Sequence, residues 1–295
     1  MKIPWKWAIC PDPLIYSNQE IVKICMYTRV KYLELNYNYT AEKTEKEIIE
    51  IKNFFKNAGI NFYSFHLPFT QEDDIACFYE TIRNKAVKRL TYDMEKASML
   101  GCKVVILHPT TNHFDVHTEG FNRYLLQMEK SLKELIPVAE KLKLIIAIEN
   151  MPKVTAGERF GSMIEHFQIF SKTFGCRHFG FCLDTGHANI SYGREGPTKF
   201  FEAMKKHIVS FHIQDNPGDR DLHIQPGKGL VNWKSFFNKL SRSNLSFPLT
   251  IEALPFAHAD CYKYSFEAWE NMIKEINSIV LESLKSEIEI NHKIG

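Results

Sequence analysis

The chain has no apolar run approaching the roughly 18 residues that a membrane-crossing helix needs. Its first residues, MKIPWKWAICPDPL, break a short apolar patch with Pro and Lys, so the uninterrupted apolar core of a secretory signal is missing. The seven cysteines (10, 25, 77, 102, 176, 182 and 261) are scattered, odd in number and form no CxxC pair. That excludes a disulfide framework and a cysteine-type zinc site, and the expectation is reduced thiols in a cytoplasm, mostly serving as small core hydrophobes. No charge of one sign dominates. A net charge of +2 gives no general reason to bind nucleic acid or an acidic membrane. No low-complexity linker or shift in composition divides the 295 residues, a length that α/β barrels reach as one unit. The reading is one domain over 1–286, with a polar, frayed tail at 287–295.

What the chain does have is rhythm. Short apolar runs rich in β-branched and aromatic residues recur at Trp5–Ile9, Lys31–Asn36, Asn61–Leu67, Lys103–His108, Leu144–Asn150, His178–Asp184, Ile208–Asp215 and Leu249–Ala253. Several, such as VVIL at 104–107 and LIIAI at 144–148, are apolar throughout, as strands covered on both faces must be. Amphipathic segments separate them. In 41–58, Ile48, Ile51, Phe54 and Phe55 share one face and Gly59 stops the helix. Segments 75–100 and 119–142 read as helices, the latter kinked or split at Pro137. The last helix, 265–284, has Ser265 as its N-cap. Eight strands alternating with helices predict a closed parallel (β/α)8 TIM barrel. The rival doubly wound sheet wants a Gly-rich first turn, and none follows strand one or two.

Ionisable residues stand at the C-terminal ends of six consecutive strands: His66, His108, Glu149, Asp184 with His187, His212 with Asp215, and Glu252. A barrel brings those ends to one face, where its active sites are built. Gathering so many ionisable groups in a partly desolvated pocket is costly unless a cation neutralises them, and mixed imidazole and carboxylate donors suit a divalent ion. Each residue alone has an ordinary structural reading; Asp184 before ThrGly is also a helix cap. The repetition carries the inference. Asp215 reads as a turn former before AsnProGly, Glu34 as the partner of a lysine, and His113, His117, His166 and His258 as exposed residues without a role.

HLPF at 66–69, HP at 108–109, ENMP at 149–152, LDTGH at 183–187, HIQDN at 212–216, DLH at 221–223 with PGKG at 226–229, and IE at 251–252 occur in this order. Together they resemble the xylose-isomerase-like barrel superfamily, which includes sugar and sugar phosphate isomerases and epimerases, inosose dehydratases and endonuclease-IV-type apurinic-site nucleases. The resemblance runs from Tyr32 to Glu252. It implies Glu149, Asp184, His212 and Glu252 as ligands of one divalent metal (Mn, Zn, Co or Mg), with Glu149 and Glu252 doubling as acid/base groups. It also implies substrate contacts from His66, His108, His187 and Arg220, and a homodimer as a common assembly. In the nuclease branch His66 and His108 would join Glu149 at one zinc, and His187, Asp221 and His223 would hold another.

Departures favour the small-molecule branch. CPDPLIYSN follows strand one where nucleases carry a Gly/Ser/His-rich DNA-contacting loop, and AlaLeuPro follows Glu252 where they carry Thr-Pro. The near-neutral charge offers little grip on a phosphate backbone. The expected activity is therefore isomerisation or epimerisation of a sugar, sugar phosphate or related polyol by proton abstraction beside a carbonyl that the cation polarises. One glutamate takes the proton and the other returns one; Lys228 could meet a phosphate. The alternatives are a multi-zinc phosphodiesterase acting on abasic DNA and a barrel that binds a polyol without turnover.

Overall fold

The computed structural model describes residues 2–155, 157–255 and 263–294, with side chains through Lys285. His258 and Cys261 lie outside the described residues. Eight parallel strands close into a barrel in chain order: β1 (Trp7–Ile9), β2 (Tyr32–Asn36), β3 (Asn61–His66), β4 (Val104–Leu107), β5 (Ile145–Glu149), β6 (Phe179–Asp184), β7 (Ile208–Ile213) and β8 (Leu249–Ile251). Pairing of β1 with both β2 and β8 closes the ring. Each strand lies inside the run expected for it.

Helices α1 (Asn18–Thr28), α2 (Glu45–Asn57), α3 (Glu80–Leu100), α4 (Val116–Glu119), α5 (Phe121–Leu142), α6 (Ile164–Phe174), α7 (Thr185–Tyr192), α8 (Gly196–Met204), α9 (Trp233–Ser241) and α10 (Phe266–Ile294) surround the barrel. Ser17 and Thr44 open α1 and α2 with reciprocal capping boxes, and Ser265 Oγ accepts from the Ala268 N–H at the start of α10. Ile48, Ile51 and Phe55 of α2 are buried, whereas Phe54 stays partly exposed. Two readings need correction. α5 is a single helix through Pro137 and is not split there. The proline is on the exposed side, where water can serve the carbonyl it frees, while Leu132, Leu135 and Ala139 hold the other side against the core. α10 extends beyond the expected end at 284, to Ile294. The side chains of the expected tail at 287–295 lie outside those described.

Strand alternation sorts the side chains. Val105 and Leu107 of β4, and Ile146 and Ile148 of β5, join the main core between strands and helices. Val104, Ile106, Ala147 and Cys182 form a separate cluster inside the barrel. Continuing the inner rows upward leads from Val104 and Ile106 to His108, from Ala147 to Glu149, and from Cys182 to Asp184. The inner face thus changes from apolar to ionisable within one residue pair. Register shifts interrupt two pairings: β3 skips Tyr63 against β2, and β7 skips Val209 against β6.

Candidate metal centre

The inner rows converge at the C-terminal mouth. Asp184 pairs in register with His212, Asn36 with His66, and Glu149 with Cys182. His212 is fully buried and its Nδ1 stands 3.1 Å from Glu149 Oε1 and 2.9 Å from Glu252 Oε2. Its other nitrogen, Nε2, stands 2.9 Å from Glu34 Oε1. Glu149 Oε2 faces the Nε2 atoms of His66 at 3.4 Å and His108 at 3.3 Å. Asp184 caps α7, its Oδ1 accepting the His187 N–H at 2.6 Å. That cap swings the His187 ring to the mouth, where Nδ1 meets the Asn150 carbonyl at 2.7 Å and Nε2 meets Asp221 Oδ2 at 3.0 Å.

Asp221 and His223 arrive on the β7–α9 loop, not on a strand. His223 Nε2 lies 3.2 Å from Asp221 Oδ2, and Nδ1 lies 3.0 Å from the Glu252 carbonyl. His223 has φ 47°; the other non-glycine residues described with positive φ, Arg29 and Lys143, are helix C-caps. A histidine held there away from any helix end stores strain in the way functional sites do. Asp215 organises the same loop. Its buried carboxylate accepts from the N–H groups of Gly227, Gly229 and Val231 and from Trp233 Nε1.

Three ligand groups result: His66–His108–Glu149, Glu149–Asp184–His212–Glu252, and His187–Asp221–His223, the donor atoms of each lying within 4.8 Å of one another. Glu149 belongs to two of them. The buried oxygens Glu149 Oε2 and Glu252 Oε2 make no hydrogen bond, although imidazole nitrogens surround them. Two buried carboxylate oxygens without a hydrogen bond are groups that a cation would satisfy, and a nitrogen/oxygen donor set of this kind fits a divalent ion.

Electrostatics agree with the geometry. Burial alone would raise the Glu149 pKa, but His212, His108 and His187 hold it well below the ordinary value. Glu252 is lowered to about 2 against burial by His212 and His223. Burial dominates at Asp184, which is raised to about 7, and at His108, lowered to about 4. His187 and His212 are buried too, yet neighbouring charges drive both well above the ordinary imidazole value.

Two connected lobes open onto this mouth, with volumes of about 270 and 320 Å3, sharing His66, Phe69, His223 and Glu252. Phe69 stacks on the His108 ring at 5.0 Å. The first lobe adds Cys10, Asp12 and Glu34; the second adds Thr111, His113 and Arg159.

Residues 30–272 match the family described as xylose isomerase-like TIM barrel. The chain belongs to that family. An uncharacterized protein of Methanocaldococcus jannaschii is 26% identical over 73% of this chain and 79% of its own. Among solved structures, a D-tagatose 3-epimerase-like protein superimposes with a TM-score of 0.76 at 21% identity, covering 96% of this chain and 99% of its own. The 3-keto-D-glucoside 4-epimerase of E. coli gives 0.76 at 15% identity, with 93% and 99% covered. At such identities the likeness to solved structures is one of fold.

Of the residues singled out from the sequence, the strand-end set and the DLH pair assemble at this family's mouth. Arg220 does not: it is exposed and pairs with its neighbour Asp219 at 3.5 Å. Lys228 is tied to Glu275 at 2.9 Å. Glu34, read as a lysine's partner, is buried and accepts from Ser64 Oγ while facing His212. Its position between the core residues Leu33 and Leu35 signals an inward side chain. Asp215 is more than a turn former, because five chain groups, including the N–H of Asn216, bond to it. His166, read as exposed, is buried on α6, its Nδ1 accepting from the Gly161 N–H and its ring stacked on Phe121. Gln214 was passed over inside HIQDN, and Arg159 had no signal in the sequence. Gln214 Nε2 donates to both Asp184 and Asp221. Among the described residues, no helix is long and apolar enough to cross a membrane.

Proposed function

We propose that the chain is a divalent-metal-dependent isomerase or epimerase acting on a sugar, sugar phosphate or related polyol. One observation carries this reading: Glu149 from β5 and Glu252 from beyond β8 meet the same His212 nitrogen from two sides, at 3.1 and 2.9 Å. Glu149, Asp184, His212 and Glu252 would hold the cation, which when bound supplies Lewis-acid polarisation of a substrate carbonyl and stabilises negative charge on its oxygen.

The protein's own groups do the rest. Both glutamates are held ionised, so either begins the cycle able to accept a proton. Glu252 borders both lobes and Glu149 the second; the reading puts the reacting substrate carbon between the two carboxylates. One takes the proton beside the carbonyl; the other returns a proton to the adjacent carbon or the opposite face. The Phe69 ring offers an apolar wall that excludes water, and His187, anchored on the Asn150 carbonyl, holds Asp221 through Nε2 at the edge of the second lobe.

A second reading, a multi-metal phosphodiesterase, is favoured by the two further ligand groups, His66–His108–Glu149 and His187–Asp221–His223. Clustered cations would there activate water and clamp a leaving oxygen.

Elemental analysis together with a deuterium-exchange screen of ketoses and inososes separates the readings. The isomerase reading expects solvent deuterium in a substrate C–H bond, and a loss of about 10²–10⁴ in turnover for Glu149→Gln. Cleavage of abasic DNA with three bound zincs and no exchange into any ketose overturns it. A Glu149→Gln variant that merely binds polyol a little less well points to a barrel without turnover.

A further inference from the structure

We infer that Arg159 is an anion-binding residue of the second lobe, so that the substrate carries a phosphate or carboxylate substituent. This rests on the isomerase reading above and narrows its substrate class. The starting observation is a buried guanidinium that lacks a carboxylate. Arg159 is 3% exposed. It forms no ion pair with any described residue, whereas the buried Arg83 has both Glu80 and Glu134. An uncompensated buried charge is costly, and proteins keep one where something binds to it.

Two bonds set its orientation. Nε donates to the Asn112 carbonyl at 2.6 Å and Nη2 to the Thr110 carbonyl at 3.0 Å. These hold the plane of the fork against the loop after β4. Nη1 has no hydrogen-bond partner among the described residues, and Arg159 lines the lobe beside Thr111, His108 and Glu149. Clipping two carbonyls uses donors but not charge, so the loop contact alone does not call for a guanidinium. Burial pulls its pKa down to about 10, with Asp74 and Glu149 opposing, so the group stays cationic at neutral pH. Asp74 makes no ion pair with it; its oxygens accept from the Ala76 N–H and Thr110 Oγ1.

The free end of the group suits an oxyanion. Guanidinium N–H donors bond carboxylate or phosphate oxygens, with charge reinforcing the bonds. Glu252 and His66 stand where the lobes join, and Arg159 lines only the second. A substrate with its reacting carbon at the junction therefore directs one end toward Arg159.

The test compares deuterium exchange and turnover of a neutral ketose, its terminal phosphate and the corresponding keto sugar acid. Wild type, Arg159→Gln and Arg159→Lys are assayed with all three. The wild-type protein is expected to prefer one anionic compound over the neutral one, and whichever it prefers identifies the anion. In Arg159→Gln the ratio of anionic to neutral kcat/KM is expected to fall about 10- to 100-fold, the worth of a charge-assisted contact, with Arg159→Lys between. A wild-type preference for the neutral ketose, or a ratio unchanged by both substitutions, overturns the inference and leaves the isomerase reading standing. If no compound exchanges deuterium, the isomerase reading fails separately. The inference is then judged by calorimetric titration of the metal-loaded protein with inorganic phosphate: a tenfold weaker Kd in Arg159→Gln supports an anion site, and an unchanged Kd overturns it.

Discussion

Tyr63 and Val209, the residues skipped by the sheet's two register shifts, are joined across the barrel: Tyr63 Oη donates to the Val209 carbonyl at 2.6 Å. A slip of one residue turns every later side chain of a strand to the opposite face. The skipped positions therefore set the facing of Ser64 and His66 on β3 and of Ser210 and His212 on β7. Tyr63→Phe removes the bond and leaves a partly buried carbonyl unserved. The expected loss is about 1 kcal/mol in urea unfolding, together with weaker metal binding. Unchanged unfolding and metal titration curves would show that the bond does not brace these strands.

Glu34 faces Nε2 of His212, the nitrogen turned away from the ligand group. A carboxylate there fixes the ring's orientation and raises its basicity as a ligand. Glu34→Gln is expected to weaken binding of a divalent ion by about 10- to 100-fold with little change in the fold. Competition with a chelator measures the affinity, and far-UV circular dichroism checks the fold.

Gly186 lies against the side-chain amide of Gln214, and a Cβ at position 186 would collide with it. That amide bridges Asp184 and Asp221. Gly186→Ala is expected to cost about 1–3 kcal/mol by overpacking and to displace Gln214 from both carboxylates. Binding at the His187–Asp221–His223 group should weaken most. Metal content falling equally in all three groups would contradict this.

Burial lowers the His166 pKa to about 4, below its unfolded value of ~6.5. Between those values the unfolded chain holds a proton that the folded chain lacks, so stability is fully present above about pH 6.5 and declines as pH falls toward 4. Between pH 7 and 4.5 this one group is expected to cost about 2 kcal/mol. His166→Asn keeps an acceptor for the Gly161 N–H and removes the titration. Its stability should fall by correspondingly less over the same interval in urea unfolding, and an identical decline in both proteins would refute the assignment.

The strands were legible because continuous apolar runs have few other uses in a chain of this length, and because ionisable residues ending such runs stand out. Glu149, Asp184, His212 and Glu252 were readable for that reason. Glu34 was harder: a lone carboxylate in mid-strand invites a lysine partner, and its one inward signal was its place between the apolar Leu33 and Leu35. Arg159 sits in a loop whose path depends on carbonyls at 110 and 112, about fifty residues earlier, and no local pattern encodes that meeting. His166, and a division of α5 at Pro137, failed for a related reason. Whether a helical residue is inside or outside depends on which side of its helix meets the barrel, and for these two the tertiary placement outweighed the residue type.

The loop that brings Asp221 and His223 to the mouth is fastened by one carboxylate, Asp215, to the backbone at 227, 229 and 231 and to an indole at 233. That carboxylate works beside other holds: the paired backbone of Asp215 and Ile224, the Gln214–Asp221 bond and the contact of His223 with the Glu252 carbonyl. A change at position 215 therefore loosens the far stretch of the loop first, while Asp221 and His223 keep their own ties to the inner ring.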